Sequence, residues 1–130
     1  DMKANGSFTA VDLLTGESIW RIQDMAPDCE GKTPCNNAFS LPSTVAGDIV
    51  FTGTGDGVLR AYDTATGKPV WTFDTVRDYE TVNGRKGFGG GLGSFGGPTI
   101  VKNRLYVSSG MDAFNIGLPG NVVIAFEIPE

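Results

Sequence analysis

One stretch of this chain occurs twice in fixed register. Phe8-Thr9-Ala10-Val11-Asp12-Leu13-Leu14-Thr15-Gly16-Glu17-Ser18-Ile19-Trp20 returns as Leu59-Arg60-Ala61-Tyr62-Asp63-Thr64-Ala65-Thr66-Gly67-Lys68-Pro69-Val70-Trp71, each position displaced by 51 residues. A third, truncated copy, Val123-Ile124-Ala125-Phe126-Glu127-Ile128, sets Ala125 in the place of Ala61. Repeats of about 40 to 50 residues are the spacing of four-stranded propeller blades, each of which buries its faces only against its neighbours.

The grammar inside one unit is that of strands. Ile49-Val50-Phe51-Thr52-Gly53 and Val58-Leu59-Arg60-Ala61-Tyr62 are short apolar or alternating runs joined by Thr54-Gly55-Asp56-Gly57, whose Asp-Gly favours a tight hairpin. Pro69 opens the run to Phe73 and belongs on an edge strand, where a missing N–H does no harm. A full blade is therefore predicted as 41–46, 49–53, 58–62 and 69–73, from inner to outer strand. Residues 8–22 supply the last two strands of a preceding blade. The segments 97–101, 105–109 and 121–128 supply the first three of a following one.

The fold class expected is all-β, a partial propeller of about two and a half antiparallel blades. Residues 1–37 form the end of one blade plus a loop, 38–80 a full blade, and 81–130 three strands of the last. An open last blade at a C-terminus is expected to be completed by a strand from elsewhere in the protein, since sheet edges are otherwise exposed. A start in mid-blade predicts further blades on the N-terminal side.

Composition agrees with many short strands and turns: 19 glycines and 7 prolines in a chain that is still 40% hydrophobic. The net charge of −5 argues against nucleic acid or an anionic membrane surface as partner, and no apolar run reaches the roughly 20 residues of a membrane span. Without histidine, the two cysteines, Cys29 and Cys35, do not make a zinc site. They read as a local disulfide, which implies an oxidising compartment, periplasmic or secreted; two free loop thiols are the alternative.

The repeated Ala-x-Asp-x-x-x-Gly-x-x-x-Trp, present as Ala10, Asp12, Gly16, Trp20 and as Ala61, Asp63, Gly67, Trp71, resembles the tryptophan-docking motif of the quinoprotein alcohol dehydrogenases. Alanine leaves room for a flat ring, glycine permits both a turn and a close approach, and the indole N–H finds a backbone acceptor. Three further segments are similar to that family: 44–57, the glycine-rich 81–100, and 117–126, the last two nearest to its polyvinyl-alcohol-oxidising members.

The resemblance implies an eight-bladed ring holding pyrroloquinoline quinone and calcium at its mouth, an alcohol substrate that is primary, secondary or polymeric, and a cytochrome c acceptor, with haem c in a fused or partner domain. The calcium ligands and the catalytic aspartate are expected in other blades, and no catalytic or metal residue is assigned here. Carried onto this chain, the resemblance puts Phe39 and Ser40, and Gly93, Ser94 and Phe95, beside the cofactor. Phe39 stands where the family has tryptophan, and an inner-strand core aromatic is its other reading.

Gly89-Gly90-Gly91 is not a phosphate loop, because no Lys-Ser/Thr follows. Either its backbone passes close to a flat ligand or to the crowded propeller axis, or it is a flexible loop. Arg77, Asp78, Tyr79 and Glu80 read as a solvated polar connection. A docking motif alone also suits a non-catalytic periplasmic scaffold or sensor, which remains the rival function.

Overall fold

The computed structural model describes residues 6–23, 30–36, 38–93, 96–111 and 117–128. Every regular element among them is a strand. β1 (Ser7–Val11) and β2 (Ser18–Gln23) form a hairpin. β3 (Phe39–Ala46), β4 (Ile49–Thr54), β5 (Val58–Asp63) and β6 (Pro69–Asp74) form a four-stranded sheet in that order. After a small hairpin of β7 (Asp78–Glu80) and β8 (Lys86–Phe88), β9 (Thr99–Val101), β10 (Arg104–Ser109) and β11 (Val122–Glu127) make a three-stranded meander. These are antiparallel consecutive blades of a partial β-propeller, and the strands fall within two residues of the bounds expected from the sequence. Arg77, Asp78 and Glu80 are exposed, as a solvated connection requires, and the last two lie in the β7–β8 hairpin. Tyr79 is half-buried, and its hydroxyl donates to the Thr75 carbonyl at 3.1 Å.

The repeat is also a structural one. Ala10 pairs with Trp20 and Ala61 with Trp71, and in both hairpins the register slips immediately after the alanine. Asp12 Oδ1 accepts from the N–H groups of Leu14 and Thr15, at 2.9 and 2.8 Å, and Asp63 Oδ1 accepts from the N–H and hydroxyl of Thr66, at 2.8 and 2.7 Å. Glycine closes each turn with φ of 74° at Gly16 and 69° at Gly67, a region other residues avoid.

These bonds hold both carboxyls below the ordinary aspartate value of 3.8, chiefly through the Thr15 N–H at Asp12 and the Thr66 hydroxyl at Asp63. A depressed folded-state pKa stabilises the fold above the unfolded value and stops doing so as pH falls through the folded one. The turns are therefore expected to hold down to about pH 3.8 and to loosen below it. In an NMR titration both carboxyls should show midpoints under 3.8, and Asp63→Asn should remove one. Midpoints at or above 3.8 would contradict the capping account.

The core lies between the second and third blades. Leu41, Leu59, Leu105 and Val107 face one another there, joined by Leu92 from the glycine-rich segment, with Phe51, Ile100, Ile124 and Phe126 packed around them. Between the first and second blades the filling is aromatic: Phe8 stacks on Phe39 at 5.3 Å and meets Trp20 and Tyr62.

Trp20 lies across the second blade's docking turn. Its Nε1 donates to the Thr64 carbonyl at 2.8 Å, and a Cβ at Gly67 would stand 2.7 Å from the indole Cδ2. Trp71 occupies the same register, yet among the described residues no glycine turn covers it. It packs instead on Phe73 and edge-on to Phe126, and is 37% exposed. Trp20→Ala should therefore lower stability by about 3 kcal/mol and Trp71→Ala by about half that, read from urea midpoints. Equal losses would mean that the glycine seat contributes nothing.

Candidate functional site

In an up-and-down sheet, the start of β3, the β4–β5 turn and the end of β6 share one end of the blade. The glycine-rich segment crosses that end, and two regions distant in sequence meet there. Ser40 Oγ donates to the Leu92 carbonyl at 2.8 Å, a Cβ at Gly93 would lie 2.9 Å from Ser40 Oγ, and further along β3 Thr44 Oγ1 donates to the Pro98 carbonyl at 2.6 Å. The structure thus brings Ser40 and Gly93 together. Phe39 is adjacent in β3, but its ring is stacked on Phe8 between blades. Ser94 and Phe95 lie outside the described residues.

Residues 89–93 form a strap whose backbone groups are bonded almost one by one. Gly89 N–H donates to the Arg77 carbonyl at 2.9 Å, Gly90 N–H to Ser109 Oγ at 2.8 Å, Gly91 N–H to the Leu118 carbonyl at 2.8 Å, and Leu92 N–H to the Thr54 carbonyl at 3.1 Å. The Gly90 carbonyl accepts from Thr75 Oγ1, and the Gly91 carbonyl from the Gly110 N–H. Ser109 Oγ also donates to Thr75 Oγ1 at 2.8 Å, and both hydroxyls are fully buried.

Close backbone approach explains the glycines. A Cβ at Gly89 would overlap the Thr75 carbonyl oxygen, one at Gly90 the Leu118 carbonyl, and one at Gly91 would stand 2.8 Å from the Gly55 carbonyl. Close approach therefore holds for this run, with neighbouring backbone as what it approaches, and the flexible-loop reading does not.

Sequence reasoning missed the charge buried in the β4–β5 turn. Asp56 reads as a hairpin-turn residue and is 0% exposed. Its carboxylate caps the Val58 N–H at 3.1 Å, accepts from the Thr54 hydroxyl, and pairs with Arg60 Nη2 at 3.3 Å. Lys32 reaches the same turn, donating to the Asp56 carbonyl at 3.0 Å and to Asp74 Oδ2 at 3.1 Å. Its loop ends at Cys35, which is disulfide-bonded, while Cys29 lies outside the described residues. The one sequence signal for this cluster is an arginine flanked by Val58, Leu59 and Ala61 in β5.

The ring of Phe39 is engaged by Phe8 and the Ser40 hydroxyl by Leu92. Among the described residues no three of His, Cys, Asp or Glu converge on a point, and no helix is long and apolar enough to cross a membrane. The buried polar groups at this end bind one another. Phe39, Ser40 and Gly93, the described members of the expected cofactor edge, thus lie in a hydrogen-bonded blade end.

The sequence matches a family model described as outer membrane protein assembly factor BamB over residues 4–129. It is 37% identical to a polyvinylalcohol dehydrogenase of Sphingopyxis sp. (strain 113P3), over 92% of this chain and 20% of that protein. It is 30% identical to the quinohemoprotein alcohol dehydrogenase ADH IIB of Pseudomonas putida, over 78% of this chain and 13% of that protein. The chain thus spans a fifth or less of these relatives. In structure it is similar to the crystal structure of BamB from Moraxella catarrhalis, with a TM-score of 0.51 and 24% identity, covering 82% of this chain and 29% of that one. At that identity the likeness speaks for the fold alone.

Proposed function

Since the chain belongs to the quinoprotein propeller family, whose matching model carries the BamB description and whose sequence relatives here are alcohol dehydrogenases, we propose that it is a section of a pyrroloquinoline quinone-dependent alcohol dehydrogenase. The reaction removes two electrons and two protons from a primary, secondary or polymeric alcohol and delivers the electrons to a cytochrome c, in a periplasmic or secreted setting. One observation carries this reading: the likeness to the polyvinylalcohol dehydrogenase runs over nearly the whole chain, not only over the two docking motifs that a scaffold would share.

Within that enzyme this section has a structural part. The strap and the buried hydroxyls hold the second and third blades at a fixed separation, and the edge made by Ser40 and Gly93 borders the channel mouth. The calcium ligands and the aspartate that takes the alcohol's proton are assigned to the rest of the protein. Preorganisation of this kind matters because a cofactor site is held only as firmly as the elements beneath it.

The test uses the complete parent protein. Titration with pyrroloquinoline quinone and calcium should give saturable binding and dye-linked oxidation of a secondary alcohol. Absence of both binding and oxidation would leave the non-catalytic scaffold as the function.

A further inference from the structure

Residues 30–36 lie on the β4–β5 turn of the second blade. Lys32, whose side chain is only 9% exposed, donates there to the Asp56 carbonyl at 3.0 Å and to Asp74 Oδ2 at 3.1 Å. Just past Cys35, Asn36 packs so closely on Gly55 that a Cβ at that glycine would overlap its side-chain amide, and the Gly55 N–H donates to the Ala38 carbonyl at 3.2 Å. Beneath these contacts lie the Asp56 carboxylate and the Arg60 guanidinium, paired at 3.3 Å. From its other side the same turn carries the glycine strap, since the Thr54 carbonyl accepts from the Leu92 N–H at 3.1 Å.

The buried pair is peculiar to this blade. Where the repeat places Arg60, the first copy has Thr9 and the third has Ile124, so a blade of this type folds without a guanidinium at that position. A buried ion pair adds little to stability over apolar residues of similar volume. Its presence under the loop that ends at the disulfide-bonded Cys35 points to a local task. The contacts that hold the loop on the turn are polar, and none of residues 30–36 belongs to the apolar core. An unconstrained loop would have to give up backbone freedom and the rotamers of Lys32 to make those bonds. The disulfide removes part of that freedom in advance.

We propose that residues 30–36 form a redox-controlled latch: while Cys35 is disulfide-bonded, Lys32 seals the Asp56–Arg60 pair from water, and reduction unseats the loop and opens the turn to solvent. The reductant is a dithiol. One of its thiolates attacks a sulfur of the disulfide and expels the other as a thiolate, and its second thiolate then displaces the sulfur still held in the mixed disulfide. Two electrons and two protons pass to the chain's two cysteines, and the dithiol leaves as a disulfide. The inference does not depend on quinone chemistry and holds for a dehydrogenase or a scaffold alike.

Amide hydrogen exchange in the complete protein tests it. Treatment with dithiothreitol should speed exchange at Gly55, bonded to Ala38, and at Val58, capped by Asp56, by about tenfold or more. The Thr64 amide, bonded to the Asp48 carbonyl at the other end of the same blade, should change by less than about twofold, which separates a local opening from unfolding. Cys35→Ser should give the same pattern without reductant, so that no other disulfide of the protein is responsible. Lys32→Met, with the disulfide intact, should speed Val58 by a similar factor and leave Thr64 unchanged. The proposal is overturned if Gly55 and Val58 keep their rates in the reduced protein and in Cys35→Ser. Equal acceleration of Thr64 would also overturn it, because the disulfide would then be a cross-link that stabilises the whole blade. So would an unchanged Val58 rate in Lys32→Met, since the lysine would not be the seal.

Discussion

Gly89→Ala is expected to lower the stability of the fold by about 3 kcal/mol, the upper range for forcing extra volume into a close-packed site. The added methyl would overlap the Thr75 carbonyl oxygen, which is backbone and cannot swing aside as a side chain would. Relief requires the strap to lift. Lifting breaks the bonds that Gly90 makes to the fully buried Ser109 and Thr75 hydroxyls. Gly96→Ala, in the same glycine-rich segment, meets nothing within 4 Å and should change stability by no more than about 0.5 kcal/mol. Urea unfolding decides the matter: the Gly89 variant should lose midpoint with an unchanged slope, and the Gly96 variant should overlay the parent. Indistinguishable midpoints would mean that the strap is not packed as described.

The contrast between these glycines marks where sequence reasoning stops. The docking turns are legible because their cause is local: Asp12 and Asp63 cap N–H groups two or three residues away, and the glycine that must take a positive φ follows at a fixed step. The strands are legible for a similar reason, since turn residues punctuate them. The tightness of Gly89, Gly90 and Gly91 is set by Thr75, Leu118 and Gly55, which are remote in the chain, so their letters look the same as those of a flexible linker. The strands of the β7–β8 hairpin are three residues each, too short for periodicity to mark them, and only Asn83-Gly84 between them signals the hairpin. As for the expected cofactor edge, the sequence names Ser40 and Gly93, which adjoin in the structure. What it could not convey is that the Ser40 hydroxyl is already bonded to Leu92 and that Phe39 rests on Phe8. Those are partnerships between blades, and no local pattern encodes them.

Asp56 offers the second large effect, because its charge is wholly buried while its letters, Gly-Asp-Gly, look like an exposed turn. Asp56→Ala would strand the Arg60 guanidinium in a site where its residue is only 8% exposed, and would uncap the Val58 N–H. Removing one member of a buried pair costs about 3 to 5 kcal/mol, since the remaining charge loses its partner without regaining water. Arg60→Met alone should cost about 3 kcal/mol on the same grounds. The double variant should cost less than the two singles together, with a coupling of about 2 kcal/mol, because the second substitution removes the charge that the first left unpaired. Salt separates this pair from an ordinary surface one. Arg104 and Glu127, both more than half exposed, form an ion pair at 3.1 Å that contributes no more than about 1 kcal/mol and fades as ionic strength rises. The Asp56 effect should be nearly the same at low and high salt, because ions do not enter the turn that Lys32 and Arg60 close. Strictly additive single-variant effects, or a loss that disappears in concentrated sodium chloride, would show that Asp56 is solvated and that the blade end is held by its backbone bonds alone.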